Sequence, residues 1–193
     1  MMDHQKLSVI MPAYNEGEHI FNNLMTTCTC LNGFCTGYEL VVVNDGSSDR
    51  TYEEIMRAAS ADPHIKVVSY EKNRGKGHAV REGINAASGK IIAFLDADLD
   101  ISPSHLKGYL NEMERQAADI VIGSKMHRDS RLDYPLSRRL VSRCYYVILK
   151  ILFRLNVKDT QTGIKVFRAE VIRRIIGLIR TGGYAYDIEI LAV

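Results

Sequence analysis

The chain lacks any run of 18 apolar residues, so no segment of its 193 residues is long and apolar enough to cross a bilayer as a helix. It also lacks a basic start followed by a long apolar stretch. Leu7 to Met11 is too short for a secretion signal, and the expected location is cytoplasmic. Cys28, Cys30, Cys35 and Cys144 form no C-x-x-C pair and have no histidine at zinc-ligand spacing, which argues against a zinc knuckle or a redox dithiol. They read as small, buried or half-buried thiols in a reducing compartment. Internal repeats, low-complexity tracts and linkers are missing as well, and the length suits one domain with a proper core.

Net charge is nearly absent, at +2, but its distribution is uneven. Residues 1–124 carry 11 Lys/Arg against 17 Asp/Glu, whereas residues 125–180 carry 14 against 4. An acidic first part and a basic later part suggest one region that holds a cation and another that meets anions.

Short apolar runs recur at Leu7–Met11, Glu39–Val43, Ile65–Ser69, Lys90–Leu95 and Asp119–Ile122, with amphipathic or mixed stretches near 16–30, 50–60, 76–87 and 104–117. That alternation predicts an α/β fold with a mostly parallel central sheet flanked by helices. Ligands of such sheets bind beyond the carboxyl ends of the strands. Three polar strand ends therefore stand out: Pro12 to Glu16, Asn44 to Asp49, and the acids that follow Leu95.

Those acids, Asp96, Asp98 and Asp100, alternate along the chain. If the strand continued through them, they would share one face at a spacing of ~7 Å. Hard oxygens so clustered suit Mg2+ or Mn2+. The alternative is a solvated acidic turn, helped by Ser102 and Pro103. Asp45 sits directly at a strand end, where a carboxylate can accept the N–H of a pyrimidine or guanine ring, with Tyr14 and Glu16 as wall and ribose contact. Ser48 or Asp49 needs no more than a capping role. Asn73 to Gly77 is a glycine-rich loop with two cations, Arg74 and Lys76, opening a helix; it suits an anion, or is simply a tight turn. His78, His105 and His127 read as surface or supporting residues. Residues 135–155 have a basic first half and an apolar second half, the composition either of a helix at a membrane surface or of a core helix with snorkelling cations.

Seven strings in order, LSVIMPAYNE (7–16), VVVNDGSSDRT (41–51), NRGKGHAVREGINAASG (73–89), FLDADLD (94–100), IVIGSK (120–125), DTQTGIKVFR (159–168) and YAYDIEIL (184–191), make the chain resemble the family 2 glycosyltransferases, and among them the polyprenyl-phosphate sugar synthases. The resemblance implies a nucleotide-sugar-binding fold of the glycosyltransferase A type and transfer of mannose or glucose from GDP-mannose or UDP-glucose to polyprenyl phosphate. It further implies a membrane surface as partner, peripheral attachment at the cytoplasmic face, and no nucleic acid. The expected donor site comprises Pro12, Tyr14, Glu16, Asp45, Arg74, Lys76, Asp96 and Lys165, and the expected metal ligands are Asp96, Asp98 and Asp100.

Asp98, Lys125 and Arg131 are the residues expected to carry the transfer, with Arg128, Arg139 and Ser142 near the lipid phosphate. Arg168 joins Lys165 as a diphosphate contact, while Asp159 and Thr160 shape their loop. Asp187 and Glu189 are read as ordering residues near the acceptor, because a phosphate nucleophile needs no strong base. Asp100 departs from the family pattern, in which Gln or Ser-His is common after the D-A-D string. The chain stops at Val193 within an apparent helix where related proteins continue, so a C-terminal truncation is expected, a short protein being the alternative. Transfer to a soluble or protein acceptor, or nucleotide-sugar binding without catalysis, are the rival functions.

Overall fold

Eight consecutive buried residues, Tyr38–Asp45, form the second strand of the chain, and the β-branched run Val41 to Val43 suits a strand covered on both faces. In the computed structural model, which describes residues 6–123, 163–179, 181, 183 and 186–192, this strand is β2. The others are β1 (Leu7–Ala13), β3 (Ile65–Tyr70), β4 (Ile91–Phe94), β5 (Ile120–Ile122) and β6 (Lys165–Arg168). Between and after them run α1 (Ile20–Asn32), α2 (Thr51–Ala61), α3 (Lys76–Ala86), α4 (Leu106–Arg115), α5 (Ala169–Ile176) and α6 (Tyr186–Ala192), with a 3-10 turn at Pro103–His105 before α4.

The sheet order is β3-β2-β1-β4-β6-β5. β1 pairs in parallel with β2 on one side and β4 on the other, and β2 pairs in parallel with β3. Among the described strands β6 alone runs opposite to the rest, antiparallel to both β4 and β5. The mostly parallel α/β sheet read from the sequence is thus present. β6 was not foreseen, because Lys165 and Arg168 at its two ends break the apolar run by which the other strands are read.

Side-chain alternation splits the core into two layers. Val9 and Met11 of β1, with Leu40 and Val42 of β2, face Ile20, Leu24 and Leu31 of α1, Ile55 of α2 and Leu106 and Leu110 of α4. Ile10, Val41, Val43, Ile92, Phe94 and Phe167 face Val80 and Ile84 of α3, Ile172 and Ile176 of α5 and Ile190 of α6. Burying a side chain such as Phe167 is worth about 2–3 kcal/mol.

The amino ends of the strands are joined by a buried polar knot. Glu39, 8 % exposed, accepts from Ser8 Oγ at 2.6 Å, Ser88 N at 2.6 Å, Ser88 Oγ at 2.9 Å and Lys6 Nζ at 3.3 Å. Burial opposes the charged form, but the bonds from Ser8, Ser88 and Lys6 prevail and hold its carboxyl down at about 2. At the same edge Cys28 is buried and its thiol is pushed up to about 12, first by burial and then by Asp62 nearby. Cys30 and Cys35 are half-buried free thiols. The carboxyl ends of β2, β1 and β4 lie side by side at the opposite edge. After β3 the chain returns to the far side of β1, so strand order reverses there, which is where open sheets of this kind bind ligands.

Candidate active site

Two loops leave the ends of β1 and β2 and are laced together. Asn15 N donates to Ser47 Oγ at 3.0 Å, and Ser48 N donates back to Asn15 Oδ1 at 2.9 Å. Glu16 N donates to Thr51 Oγ1 at 2.7 Å and Gly17 N to Asp49 Oδ2 at 3.0 Å. Asp49 Oδ1 also accepts from Thr51 N at 3.0 Å, holding the first amide of α2 from one residue before the N-cap position, which Arg50 occupies. Burial works against this carboxylate, yet the bonds from Thr51 and Gly17 keep its pKa below the ordinary range. Asn15, at φ 55°, makes the bend after β1. The lacing leaves Tyr14 exposed at 48 %, with Pro12 and Glu16 half-buried beside it. Glu16 is raised above its usual pKa by burial and then by the charge of Asp98, which places the ends of β1 and β4 in one electrostatic neighbourhood.

Asp45, the last residue of β2, is 3 % exposed. Its Oδ1 accepts from the Tyr70 hydroxyl at 2.7 Å and from Arg74 N at 2.8 Å, and its Oδ2 accepts from Gly75 N at 2.9 Å. The carboxylate expected at a nucleobase therefore also anchors the Asn73 to Gly77 loop. An ionised carboxylate has about four acceptor positions, and three are used by these bonds. Gly46, at φ +63°, lets that loop come close: a Cβ there would stand 2.4 Å from Asn73 N. Arg74 is exposed, its guanidinium carbon 5.7 Å from the Tyr70 ring centroid. Tyr70 was missed in the sequence, although its register opposite Asp45 explains its role.

β4 ends at Phe94, so the acids do not ride on a strand. They occupy a turn in which Leu99 N donates to Asp96 O at 3.3 Å and Leu99 takes φ 54°. Asn23 of α1 clamps the turn, its Nδ2 donating to Ala97 O at 2.8 Å. The expected strand alternation of Asp96, Asp98 and Asp100 is thus overturned, since a residue in the left-handed region breaks the two-residue period. Among the described residues no three His, Cys, Asp or Glu side chains gather as a metal cluster. Asp98 and Asp100 are exposed, and Asp100 N donates to Asp98 Oδ1 at 3.1 Å. Asp96 is half-buried, its Oδ1 2.5 Å from Lys76 Nζ. Gly163, another residue the sequence reading passed over, lies so close that a Cβ on it would be 2.8 Å from Asp96 Oδ2.

Lys165 is 3 % exposed and pairs with Asp187 Oδ1 at 2.7 Å. Its ammonium, expected at a diphosphate, is buried here against Asp187 of α6. Arg168 pairs with Asp119 at 3.4 Å at the far end of β6, away from the acid turn. Tyr186 is buried beside the pair; burial and then the charges of Asp187 and Asp96 raise its pKa. Glu189 Oε2 accepts from Thr181 N at 2.9 Å, an ordering contact. His78 meets the Tyr70 ring edge-on with centroids 5.3 Å apart, and His105 is exposed. Lys125, Arg128, Arg131, Arg139, Ser142, Asp159, Thr160 and the amphipathic stretch 135–155 lie outside the described residues.

Loops from three parallel strands meet at the point of strand reversal and bring carboxylates beside a lysine, at the edge where open α/β sheets bind their ligands. Residues 8–176 match the family model described as glycosyl transferase family 2, and the chain belongs to that family. It is 29 % identical over 188 residues to glycosyltransferase AglD of Haloferax volcanii, covering 96 % of this chain and 30 % of that protein. It is 32 % identical to a dolichyl-phosphate beta-glucosyltransferase of Dictyostelium discoideum (98 % and 62 %) and 33 % identical to a dolichol-phosphate mannosyltransferase of Pyrococcus furiosus (86 % and 47 %). The chain thus spans between about a third and two thirds of the length of these relatives.

Among solved structures it shares its fold with the Pyrobaculum calidifontis mannosyltransferase in complex with GDP-Man and Mn2+ (TM-score 0.64, 23 % identity, 90 % of this chain and 47 % of that one). The Mycobacterium tuberculosis glucosyl-3-phosphoglycerate synthase is similar at a TM-score of 0.71 and 22 % identity, over 97 % and 64 % of the two chains. The glycosyltransferase A-type fold expected from the resemblance is therefore the fold of this chain.

Proposed function

We propose that this chain is the catalytic part of a transferase that moves mannose or glucose from GDP-mannose or UDP-glucose to a polyprenyl phosphate at the cytoplasmic membrane face. The observation that carries the reading is the Lys76–Asp96 pair next to exposed Asp98 at the point of strand reversal, beside the loop that Asp45 anchors. The names of the curated relatives supply the lipid acceptor. Tyr14 and Pro12 offer a wall for the base, and Arg74 and Lys76 offer cations for the diphosphate.

The residues fit a divalent cation. Asp98 is exposed and Asp96 half-exposed, both are hard oxygen donors, and Mg2+ or Mn2+ at a diphosphate needs only one or two carboxylates. Such an ion, when bound, offsets the charge that builds on the leaving diphosphate. The remaining chemistry is simple to balance. A phosphate oxygen of the acceptor forms a bond to the anomeric carbon as the bond from that carbon to the diphosphate oxygen breaks, and the nucleoside diphosphate departs. One displacement inverts the anomeric centre, and no proton has to be removed. The protein's task is to align two anions, which falls to cations and dipoles rather than to a base. Lys125 and Arg131 are the acceptor-side candidates.

The test is transfer of radiolabel from GDP-mannose and UDP-glucose, with Mn2+ and vesicles containing polyprenyl phosphate, into an organic-solvent extract. We expect label in the lipid phase from one donor. Label that stays in the aqueous phase with both donors, for a chain extended to the length of its relatives, would overturn the lipid acceptor; label on a soluble or protein acceptor would replace it.

A further inference from the structure

Asp96 has a neighbour from within the chain near each oxygen while staying partly exposed. Its Oδ1 meets Lys76 Nζ at 2.5 Å, and its Oδ2 faces the backbone of Gly163 at a spacing that a single added methyl group would close to 2.8 Å. The lysine does not arrive there by chance of a flexible surface side chain. Lys76 is the first residue of α3, and α3 starts where it does because Asp45 takes hydrogen bonds from Arg74 N and Gly75 N. From that fixed root the four-carbon stem reaches to the end of β4. Both side chains remain accessible, at 28 % for Lys76 and 34 % for Asp96, so the pair can open without unfolding anything.

We infer that Lys76 is a built-in counter-ion that occupies the cation position of Asp96 in the free protein and is displaced from it when a divalent metal arrives with the nucleotide. The inference rests on the metal reading given above and adds an order of events to it. An ammonium and a divalent ion cannot share one carboxylate oxygen, because like charges at contact distance repel strongly in a partly desolvated cleft. Lysine suits the exchange, being a compact charge on a flexible stem rather than a planar fork locked to its carboxylate. Once released, Lys76 lies beside the diphosphate and transfers its charge from Asp96 to the incoming anion. Metal alone must compete with the lysine, whereas metal together with a diphosphate gives the lysine a new partner. Binding of the two is therefore coupled through this side chain.

The experiment is a titration of Mn2+ into the wild-type chain, Lys76→Met, Lys76→Arg, Asp96→Asn and the double variant Lys76→Met with Asp96→Asn, following free Mn2+ by its electron paramagnetic resonance signal up to millimolar concentrations, without nucleotide and then with GDP or UDP. Lys76→Met should bind Mn2+ alone about two- to fivefold more tightly, the range expected for losing a partly exposed ion pair. It should also lose most of the strengthening that GDP or UDP gives to Mn2+ binding. Lys76→Arg, whose planar fork holds the carboxylate more firmly, should bind Mn2+ alone no more tightly than the wild type, and the gain of Lys76→Met should vanish in the double variant. Equal or weaker Mn2+ binding by Lys76→Met, or a gain that survives Asp96→Asn, would overturn the role of Lys76. Loss of Mn2+ binding in Asp96→Asn with no effect of Lys76→Met would remove that role alone, while unchanged binding in Asp96→Asn would remove Asp96 from the metal site itself.

Discussion

The Tyr70 hydroxyl donates to Asp45 Oδ1 at 2.7 Å, so a phenol on the edge strand holds the carboxylate that ends the neighbouring strand. Burial and then Asp45 raise the Tyr70 pKa, which keeps the hydroxyl a donor across the physiological range. Tyr70→Phe removes one bond and should cost about 1 kcal/mol. Asp45→Ala strands the amides of Arg74 and Gly75 as well and should cost about 2–3 kcal/mol. Urea unfolding measures both. Nucleotide affinity should fall further in Asp45→Ala than in Tyr70→Phe, and equal losses would mean that Asp45 acts on the ligand only through Tyr70.

Gly46 makes a second demand on the same crossing. At φ +63°, with Asn73 N 2.4 Å from where a Cβ would stand, Gly46→Ala forces backbone against backbone. A melting temperature lowered by several degrees is expected, corresponding to about 1–3 kcal/mol of strain. Gly163→Ala presses instead on a carboxylate, so it should leave the melting temperature nearly unchanged and weaken metal-dependent nucleotide binding. A swap of these two outcomes would reverse the roles assigned to the two glycines.

Strand ends were legible in this sequence because buried parallel strands announce themselves as apolar runs, and Val41 to Val43 or Ile91 to Phe94 admit little else. The polar residues that follow were then confined to one edge by topology alone. Contacts made across helices were not legible. Lys76 opens α3 and Asp96 follows β4, and Lys165 meets Asp187 only because α6 returns over β6. The turn at Asp96 was misread for a related reason. Its direction is set by Asn23 on a distant helix and by the left-handed backbone of Leu99, neither of which leaves a trace in the alternation of residues 94–100.

The Glu39 knot gives the fold an acid limit. Its carboxyl is lowered from 4.5 to about 2, so the stabilisation is fully present above pH 4.5 and is lost as pH falls toward 2. A shift of that size corresponds to about 3 kcal/mol. Glu39→Gln should lower stability at pH 7 and flatten its dependence on pH between 4.5 and 2. Denaturant unfolding at pH 7, 4 and 3 tests this, and a variant whose slope with pH matches the wild type would assign the acid sensitivity elsewhere.

Asp98 and Asp100 are both exposed, but they are not equivalent. The main chain of Asp100 donates to Asp98 Oδ1 at 3.1 Å, which orients the Asp98 carboxylate on the turn. The charge of Asp98 acts on Glu16, just beyond the end of β1, whereas Asp100 is not among the charges that act on it. Asp98→Asn should therefore weaken Mn2+-dependent nucleotide binding by at least tenfold, and Asp100→Asn by no more than about threefold. Calorimetry with GDP and UDP, in Mn2+ and again after chelation, separates the two, because chelation should erase the difference between Asp98→Asn and the wild type. A tenfold loss in Asp100→Asn would make the third acid a full ligand and bring back the three-carboxylate set, with the turn closing on the ion as it binds.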